Sequence, residues 1–554
     1  MRAEVRVFTG MRPAVSSDLL NPGEATNAIN TSFLQGTLAP IYAPAAAAVT
    51  LTSSNELKTI YRFGQTNTNE AQYWFQAVED ANFLKGPLDG DTEETTYFTG
   101  TAAGPSKTRS SIATSAAPYP SASFKMGLPK PATPTVELSG TADDPESTPE
   151  TVAYVVTLVS QWGEESEPSD PSALVTWRAG QTITVTMQTS AAGNYPLGTG
   201  AKKRIYRSAT GTTGSAKFLL VNKDDSLAIA TETYADTAST ATLGEAMRSK
   251  NWSEPRSDMV GLTQMANGIL AGFSGSTVCF SEPFVPHAWP RRYEQSVDAA
   301  IVGLAAFDQS LLVATKRSLY VFTGADPSQL TSERLAVPQT CVSKRSMVEM
   351  NGGVVFACPD GLAFVGSGGF RMLTDTLLTR QQWQAYKPET IHAYNADTKY
   401  IAFYDDGTTK NGLVFDFGPE LSFSRTNYYA TAGFRDRGRD ALYLCINGTG
   451  NNREVRKWDA GAASTMTWES GDLLAPSPMN MSAARVDSIG SIQFTLIADG
   501  EVKFGPRTYS GRVAFKLPSG YVASRYRVRF TGSGTVRSFV LSDTMQGIID
   551  GGQL

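Results

Sequence analysis

Two histidines, four cysteines and 53 carboxylates are the raw material for chemistry in this chain. His287 stands in Phe284-Val-Pro-His-Ala-Trp-Pro290 and His392 in an apolar, strand-like run. A catalytic metal site needs two or three nitrogen or carboxylate ligands. Neither histidine has a second one near it, and HExxH is absent, so both are expected to be structural. Cys279, Cys341, Cys358 and Cys445 lie far apart without a CxxC pair, which argues against zinc. Three of them sit in apolar runs, such as Val354-Val-Phe-Ala-Cys358, and read as buried reduced thiols in strands. For a nucleophile, Gly272-Phe-Ser-Gly-Ser276 approaches a GxSxG elbow but has Ser where the last Gly belongs. Neither GxxxxGK[ST] nor GxGxxG occurs.

The remaining polar clusters have turn chemistry. Gly366-Ser-Gly-Gly369 follows a strand-like run without a phosphate-binding helix after it and reads as a hairpin turn. Asp405-Asp406-Gly407 has the residue types of a second hairpin turn, and Asp89-Gly-Asp91 with Glu93-Glu94 those of a polar loop. The acidic run Glu164 to Asp170 lacks the alternating ligands and central glycine of a calcium loop, so a solvated turn is expected. Lys202-Lys203-Arg204 and Arg291-Arg292 are isolated and read as solvated strand ends. A glycosidase would need two acids about 5 to 10 Å apart across a cleft, which no local pattern displays. No catalytic, metal-ligating or cofactor-binding residue is assigned, no cofactor is implied, and the chain is not expected to be an enzyme.

The elements around these residues are short. At 554 residues the chain is too long for one core, and two to four domains are expected. Hydrophobic residues are 41% and charged residues 18%, a composition that buries real cores and excludes a disordered tail. Lys and Arg number 48 against 53 Asp and Glu, without the basic excess of a protein that grips phosphates. The opening Met1 to Phe8 lacks the continuous apolar stretch of a secretory signal. The run Ala43 to Leu51 falls short of the roughly 20 apolar residues that span a bilayer. The chain is therefore expected to be made and kept soluble.

Runs of Val, Ile, Tyr, Phe and Thr between Gly- and Pro-rich turns predict many short strands. Helix is expected only over Asn21 to Leu34 and Thr376 to Tyr386. Ala117 to Pro134 is Pro-rich and reads as an extended linker. Residues from about 135 to 245 carry alternating strands at the spacing of a fibronectin-III-like sandwich. From residue 256 onward, paired strand-like runs recur at intervals of about 40 residues, the spacing of propeller blades. Leu57 to Arg62 with Tyr73 to Gln76 has the texture of a further blade. Trp468 to Leu554 carries more strands, expected as a separate sheet or sandwich. The resulting fold class is mostly β: a β-propeller with an inserted fibronectin-III-like β-sandwich and a C-terminal β-sheet region. Its divisions are 1–132 (platform and first blade), 133–246 (sandwich), 247–464 (blades) and 465–554 (C-terminal region).

Several stretches, taken in order, resemble the tail nozzle (tail tubular protein B) family of short-tailed bacteriophages. The opening Phe8-Thr-Gly-Met-Arg-Pro13, Leu19-Leu-Asn-Pro-Gly-Glu-Ala25, Ala28-Ile-Asn30 and Gly36-Thr-Leu-Ala-Pro40 is similar to the start of such proteins. Tyr97-Phe-Thr-Gly100 with Pro105-Ser-Lys-Thr108 matches a further element, and Phe124-Lys-Met-Gly-Leu-Pro-Lys-Pro131 the one before the sandwich, with Lys125 and Met126 as departures. Trp468-Glu-Ser470, Ala483-Ala-Arg-Val486 and Gly532-Ser-Gly-Thr-Val-Arg-Ser538 look like the closing sheet, while the usual ending is degraded to Leu541-Ser-Asp-Thr-Met-Gln546. The resemblance implies a virion protein made in the bacterial cytoplasm. It implies a homo-oligomer of six copies in contact with a tail adaptor, portal-proximal proteins and tail fibres. Double-stranded DNA would pass through its lumen without specific binding. Aromatics in Phe284 to Trp289 and Arg425 to Tyr429 are candidates for subunit faces, with core packing the alternative. Two other readings stay open from the residues: a receptor- or glycan-binding tail protein, and a glycoside hydrolase on a propeller scaffold.

Overall fold

In the computed structural model, residues 1–64, 69–188, 193–210, 216–418 and 420–549 are described. Strands take 47% of the chain and helices 6%, so the β class read from the short apolar runs is the one adopted. The chain divides into two compact units: residues 1–79, 312–320 and 334–554, and residues 80–311 and 321–333.

In the second unit, Asn82–Lys85, Thr96–Thr99, Ser106–Thr108 and Phe124–Lys125 form an antiparallel sheet in chain order. Val260–Gln264, Leu270–Ser274, Thr277–Phe280 and Gln295–Ser296 form another. The first strands of the two lie side by side, and Ile301–Phe307 lies beside Val260–Gln264 on its other flank. Tyr97, Met126, Met259, Leu262, Leu270, Cys279 and Trp289 share one core. Met126 and Leu128 are buried, so the Pro-rich stretch is not the free linker expected of it: its second half is pinned as edge strand and core. A Cβ on Gly127 would meet Glu254 Cβ at 2.5 Å and Pro255 Cδ at 2.8 Å, a fit that only glycine allows.

Between these sheets the chain makes two small antiparallel sheets, Thr135–Ser139, Thr182–Thr186, Thr233–Asp236 and Tyr154–Val159, Lys202–Thr210, Ala216–Leu220, with a short pair Glu150–Val152 and Val175–Trp177. Alternation decides which residues face inward: Ile183 and Val185 join Tyr154, Val156, Trp177, Ile205 and Val221 in one core.

The first unit repeats the four-strand pattern. Val348–Met350 to Gly369–Met372 make one sheet, His392–Ala396 to Ser422–Thr426 make four strands of another, and Ala432–Asp436, Ala441–Asn447 and Asn452–Lys457 take Ala47–Thr52 as their fourth strand. First strands again lie in series: Val348–Met350, His392–Ala396, Ala432–Asp436 and then Thr59–Arg62, which pairs with Trp74–Ala77. The hairpin turns expected at Gly366-Ser-Gly-Gly369 and Asp405-Asp406-Gly407 join paired strands. Arg380–Gln384 is helical behind a Thr379/Gln382 capping box, inside the span expected to be helical.

Two expectations fail here. Residues Asn21 to Leu34 are not a helix: Ala25–Ile29 is a strand, antiparallel to Met466–Ser470 and parallel to Ser422–Thr426. Thr26, Asn27 and Ile29 are weak helix formers, and pairing on both sides satisfies the backbone there without one. That strand also overturns the separate C-terminal sheet, because it hydrogen-bonds Met466–Ser470 and everything beyond it into one twelve-stranded sheet with His392–Thr426. At the far end of this sheet lies a long hairpin, Ala483–Ala498 with Glu501–Lys516, sixteen residues in each strand. Among the described residues, Glu501–Lys516 pairs with Ala483–Ala498 alone and is a free edge. Phe504, Tyr509 and Phe515 stack along one face of it, Tyr509 on Phe515 at 4.0 Å.

Candidate functional site

A group of titratable side chains in the second unit lies around Lys107. The strand Ser106–Thr108 is buried throughout, and its central ammonium is fully enclosed. Lys107 Nζ meets Glu164 Oε2 at 2.5 Å. Glu164 also accepts from Ser160 Oγ at 3.1 Å. The indole of Trp162 carries Arg109 at 4.2 Å and Lys107 at 5.5 Å from the ring centre. His287 is enclosed beside this pair, edge-on to Trp252 at 5.5 Å, and its Nε2 has no hydrogen-bond partner among the described residues.

Burial alone would raise Glu164, but the charge of Lys107 and the hydrogen bonds from Lys107 and Ser160 hold it below the usual carboxylate range. Burial lowers Lys107, against the pull of Glu164. Burial also pushes His287 down to about 4, so its ring is neutral at pH 7. Ser160 Oγ donates to Glu164 and accepts from the backbone N–H groups of Trp162 and Glu164 at 3.1 and 3.2 Å. The Lys107–Glu164 pair thus fastens the 160–165 turn of the inserted sheets to the strand of Lys107.

The neighbouring acid extends the lock. Glu165 accepts from Thr157 Oγ1 and Tyr206 Oη at 2.7 and 2.8 Å and from Arg204 Nη1 at 2.9 Å. Arg204 also grips Asp225 with Nε and Nη2 at 2.9 and 3.0 Å. The Glu164 run is therefore no solvated turn: Glu164, Glu165 and Ser166 are buried. Nor are Lys202 to Arg204 a solvated strand end, since Lys203 is enclosed and donates to the Thr231 carbonyl at 2.7 Å. The partners that bury these charges come from distant strands, which local composition does not display.

A second charged group lies on the first unit's long sheet. Residues directly opposite on neighbouring strands share a face. Register places Glu4, Val540, Arg485 and Ala514 in one row, and Arg2, Ser542, Ala483 and Lys516 in the next. Arg512 stands opposite Asp487 on that same face. Ile548 of the short helix Met545–Ile549 packs on Ala483 and Val540, and its carbonyl accepts from Arg485 Nη1 at 3.0 Å. Burial and the nearby cations Arg512, Arg2 and Arg6 lower Arg485, with Glu4 the opposing carboxylate. An open cleft of about 400 Å³, lined by Glu4, Val5, Arg6, Val7, Pro22 and Gly23, adjoins this face.

The residues first considered for chemistry are dispersed. His392 is buried with Nε2 2.7 Å from the Ala430 carbonyl, to which it donates as the neutral ring. All four cysteines are free and buried. Ser274 Oγ donates to Asp258 at 2.7 Å and has no histidine beside it. Among the described residues, no group of three or more His, Cys, Asp or Glu could hold a metal ion, and no helix is long and apolar enough to cross a membrane. Of the candidate face aromatics, Phe284 is 51% exposed whereas Trp289 is core, and Tyr428 and Tyr429 are half-buried.

No family model and no curated protein matches the chain. Among solved structures it is similar to the extracellular domain of a putative one-component system from B. thetaiotaomicron, at 8% identity, 88% coverage of this chain, 50% of that chain and a TM-score of 0.30. The extracellular domain of a putative hybrid two-component system from the same organism gives 9% identity, 87% and 56% coverage, and a TM-score of 0.26. The AfRom2 CNH domain gives 9% identity, 45% and 93% coverage, and a TM-score of 0.22. The chain spans about half the length of the sensor domains it matches. Likenesses this loose carry no argument about function.

Proposed function

We propose that this chain is a structural, non-enzymatic subunit of a short phage tail. Copies of it, six by the resemblance, form the nozzle ring through which genomic DNA leaves the virion. The reading rests on the ordered motifs from Phe8 to Pro131 and from Trp468 to Ser538, which resemble that family.

One observation carries it on the side of geometry: four-stranded sheets recur along the chain, and their first strands lie in series within each unit. A lone sheet of four short strands cannot cover its own apolar faces, and radial stacking buries them. The sheets are read as blades of a propeller, tied by Ala47–Thr52, which adds to strands some 400 residues later in the chain. The two small sheets between Thr135 and Asp236 are read as the inserted fibronectin-III-like sandwich. Charges buried in pairs, as at Lys107 and Glu164, make rigid joints rather than a reactive centre. A duplex passing through a lumen must not be gripped by its phosphates, and the chain's formal net charge of -5 suits that.

Electron microscopy and mass measurement on the purified protein test the reading. Rings with an open axis wide enough for duplex DNA are the expected particles. A chain that stays monomeric at every concentration, or a ring with a filled axis, would overturn it.

A further inference from the structure

In the first unit the long strand Glu501–Lys516 is an exposed edge. It carries Lys503, Arg507, Arg512 and Lys516 against one carboxylate, Glu501. Lys503 pairs with Glu501 at 2.5 Å and Arg507 lies over Phe504 at 5.0 Å. Arg512 and Lys516 are exposed and make no ion pair among the described residues. They lie on the same face as Arg485 and Arg2, so the edge borders a surface with an excess of positive charge. An extended edge of this length is a template for another strand.

The opposite character is found in the second unit. Thr135–Ser139 is an edge strand too, paired among the described residues with Thr182–Thr186 alone. Glu137 on it is exposed, as are Asp143, Asp144 and Glu146 in the turn that follows. No lysine or arginine occurs between Lys130 and Arg178, and Arg178 Nε donates to the Ser147 carbonyl at the end of that turn at 2.9 Å. Leu138, between Glu137 and Ser139, is 40% exposed and adds an apolar contact to cover.

We infer that the basic edge Glu501–Lys516 of one copy seats the acidic edge Thr135–Ser139, with its following turn, of the next copy. Such a contact is head to tail: each chain presents one basic and one acidic edge, and rotation closes the series into a ring. It rests on the ring reading above and names the surfaces that would make the ring.

The test uses two charge reversals in the full chain, Arg512→Glu with Lys516→Glu and Glu137→Lys with Glu146→Lys. All four side chains are solvent-facing, and circular dichroism melts should match the parent. Each reversed chain alone opposes like charges and should need about tenfold or more concentration to half-assemble, read by mass photometry. A one-to-one mixture of the two should regain assembly near the parent's, because each reversed edge then meets its complement. A parent ring indifferent to both reversals, or a mixture that fails to recover, overturns the contact and leaves the nozzle reading standing. Reversals that abolish duplex DNA retention while rings persist would assign the cations to nucleic acid and also overturn it. A parent that never assembles sinks both.

Discussion

Lys107 and Glu164 meet at 2.5 Å with the lysine wholly enclosed and the glutamate's side chain 9% exposed. An ion pair out of water is costly to break from one side, because the survivor keeps its charge without its partner. Lys107→Met should therefore destabilise the second unit by about 3–5 kcal/mol, and Lys107→Met with Glu164→Leu should recover most of that loss. Urea denaturation of the two variants and the parent checks this. A single variant as stable as the parent would mean that the pair is not a joint.

The two histidines predict the acid side of the stability curve. Burial holds His287 at about 4 and His392 at about 3, against about 6.5 in an unfolded chain. Glu164 and Lys107 face His287, and Arg345 and Lys410 act on His392. Between 6.5 and these values the unfolded chain binds protons that the folded chain refuses, so stability falls as pH drops through that window. At pH 5 each histidine should have cost roughly 2 kcal/mol relative to pH 7. His287→Gln with His392→Gln should flatten the slope between pH 7 and 5 in urea midpoints. A parent curve already flat there would contradict it.

Legibility followed the range of the interactions. Alternation is local, so Thr182–Thr186 and Tyr154–Val159 could be read as strands from their own residues, and Asp405-Asp406-Gly407 as a turn. The helix expected over Asn21 to Leu34 failed because Ala25, Ala28 and Ile29 fit a helical stripe and a strand equally, and partners near residues 425 and 468 decided between them. The buried state of Glu164 was hidden for the same reason: its cation lies 57 residues upstream. Glu164-Glu-Ser-Glu-Pro-Ser169 carries three glutamates and no lysine or arginine, so nothing local shows what balances the charge. The cysteines were read as buried thiols because apolar flanks are a local signal.

Arg62 and Asp436 predict a contrast within the first unit. Their side chains are both fully buried and meet at 2.9 Å, whereas Arg437 and Glu349 meet at 2.7 Å with 74% and 49% exposure. Arg62→Met should cost about 3–5 kcal/mol, since Asp436 loses an enclosed cation. Arg437→Ala should change stability by about 0.5 kcal/mol or less, because water screens that pair and holding two long side chains costs entropy. Denaturation midpoints measured side by side decide it. Equal effects would mean that burial does not set the worth of these pairs.

The four thiols report on how the two units come apart. Burial pushes Cys279 and Cys341 up to about 12 and Cys358 and Cys445 up to about 11, and the thiolate is the reactive form. In native protein at pH 8, a maleimide pulse should therefore modify none of them within minutes, and in full denaturant all four. Cys279 belongs to the second unit and the other three to the first. Units that unfold as separate cooperative blocks should give, at intermediate denaturant, a population with one label or with three, resolved by intact mass. A smooth passage from none to four, with no such population, would mean that the two units unfold together, and rapid labelling without denaturant would contradict the burial itself.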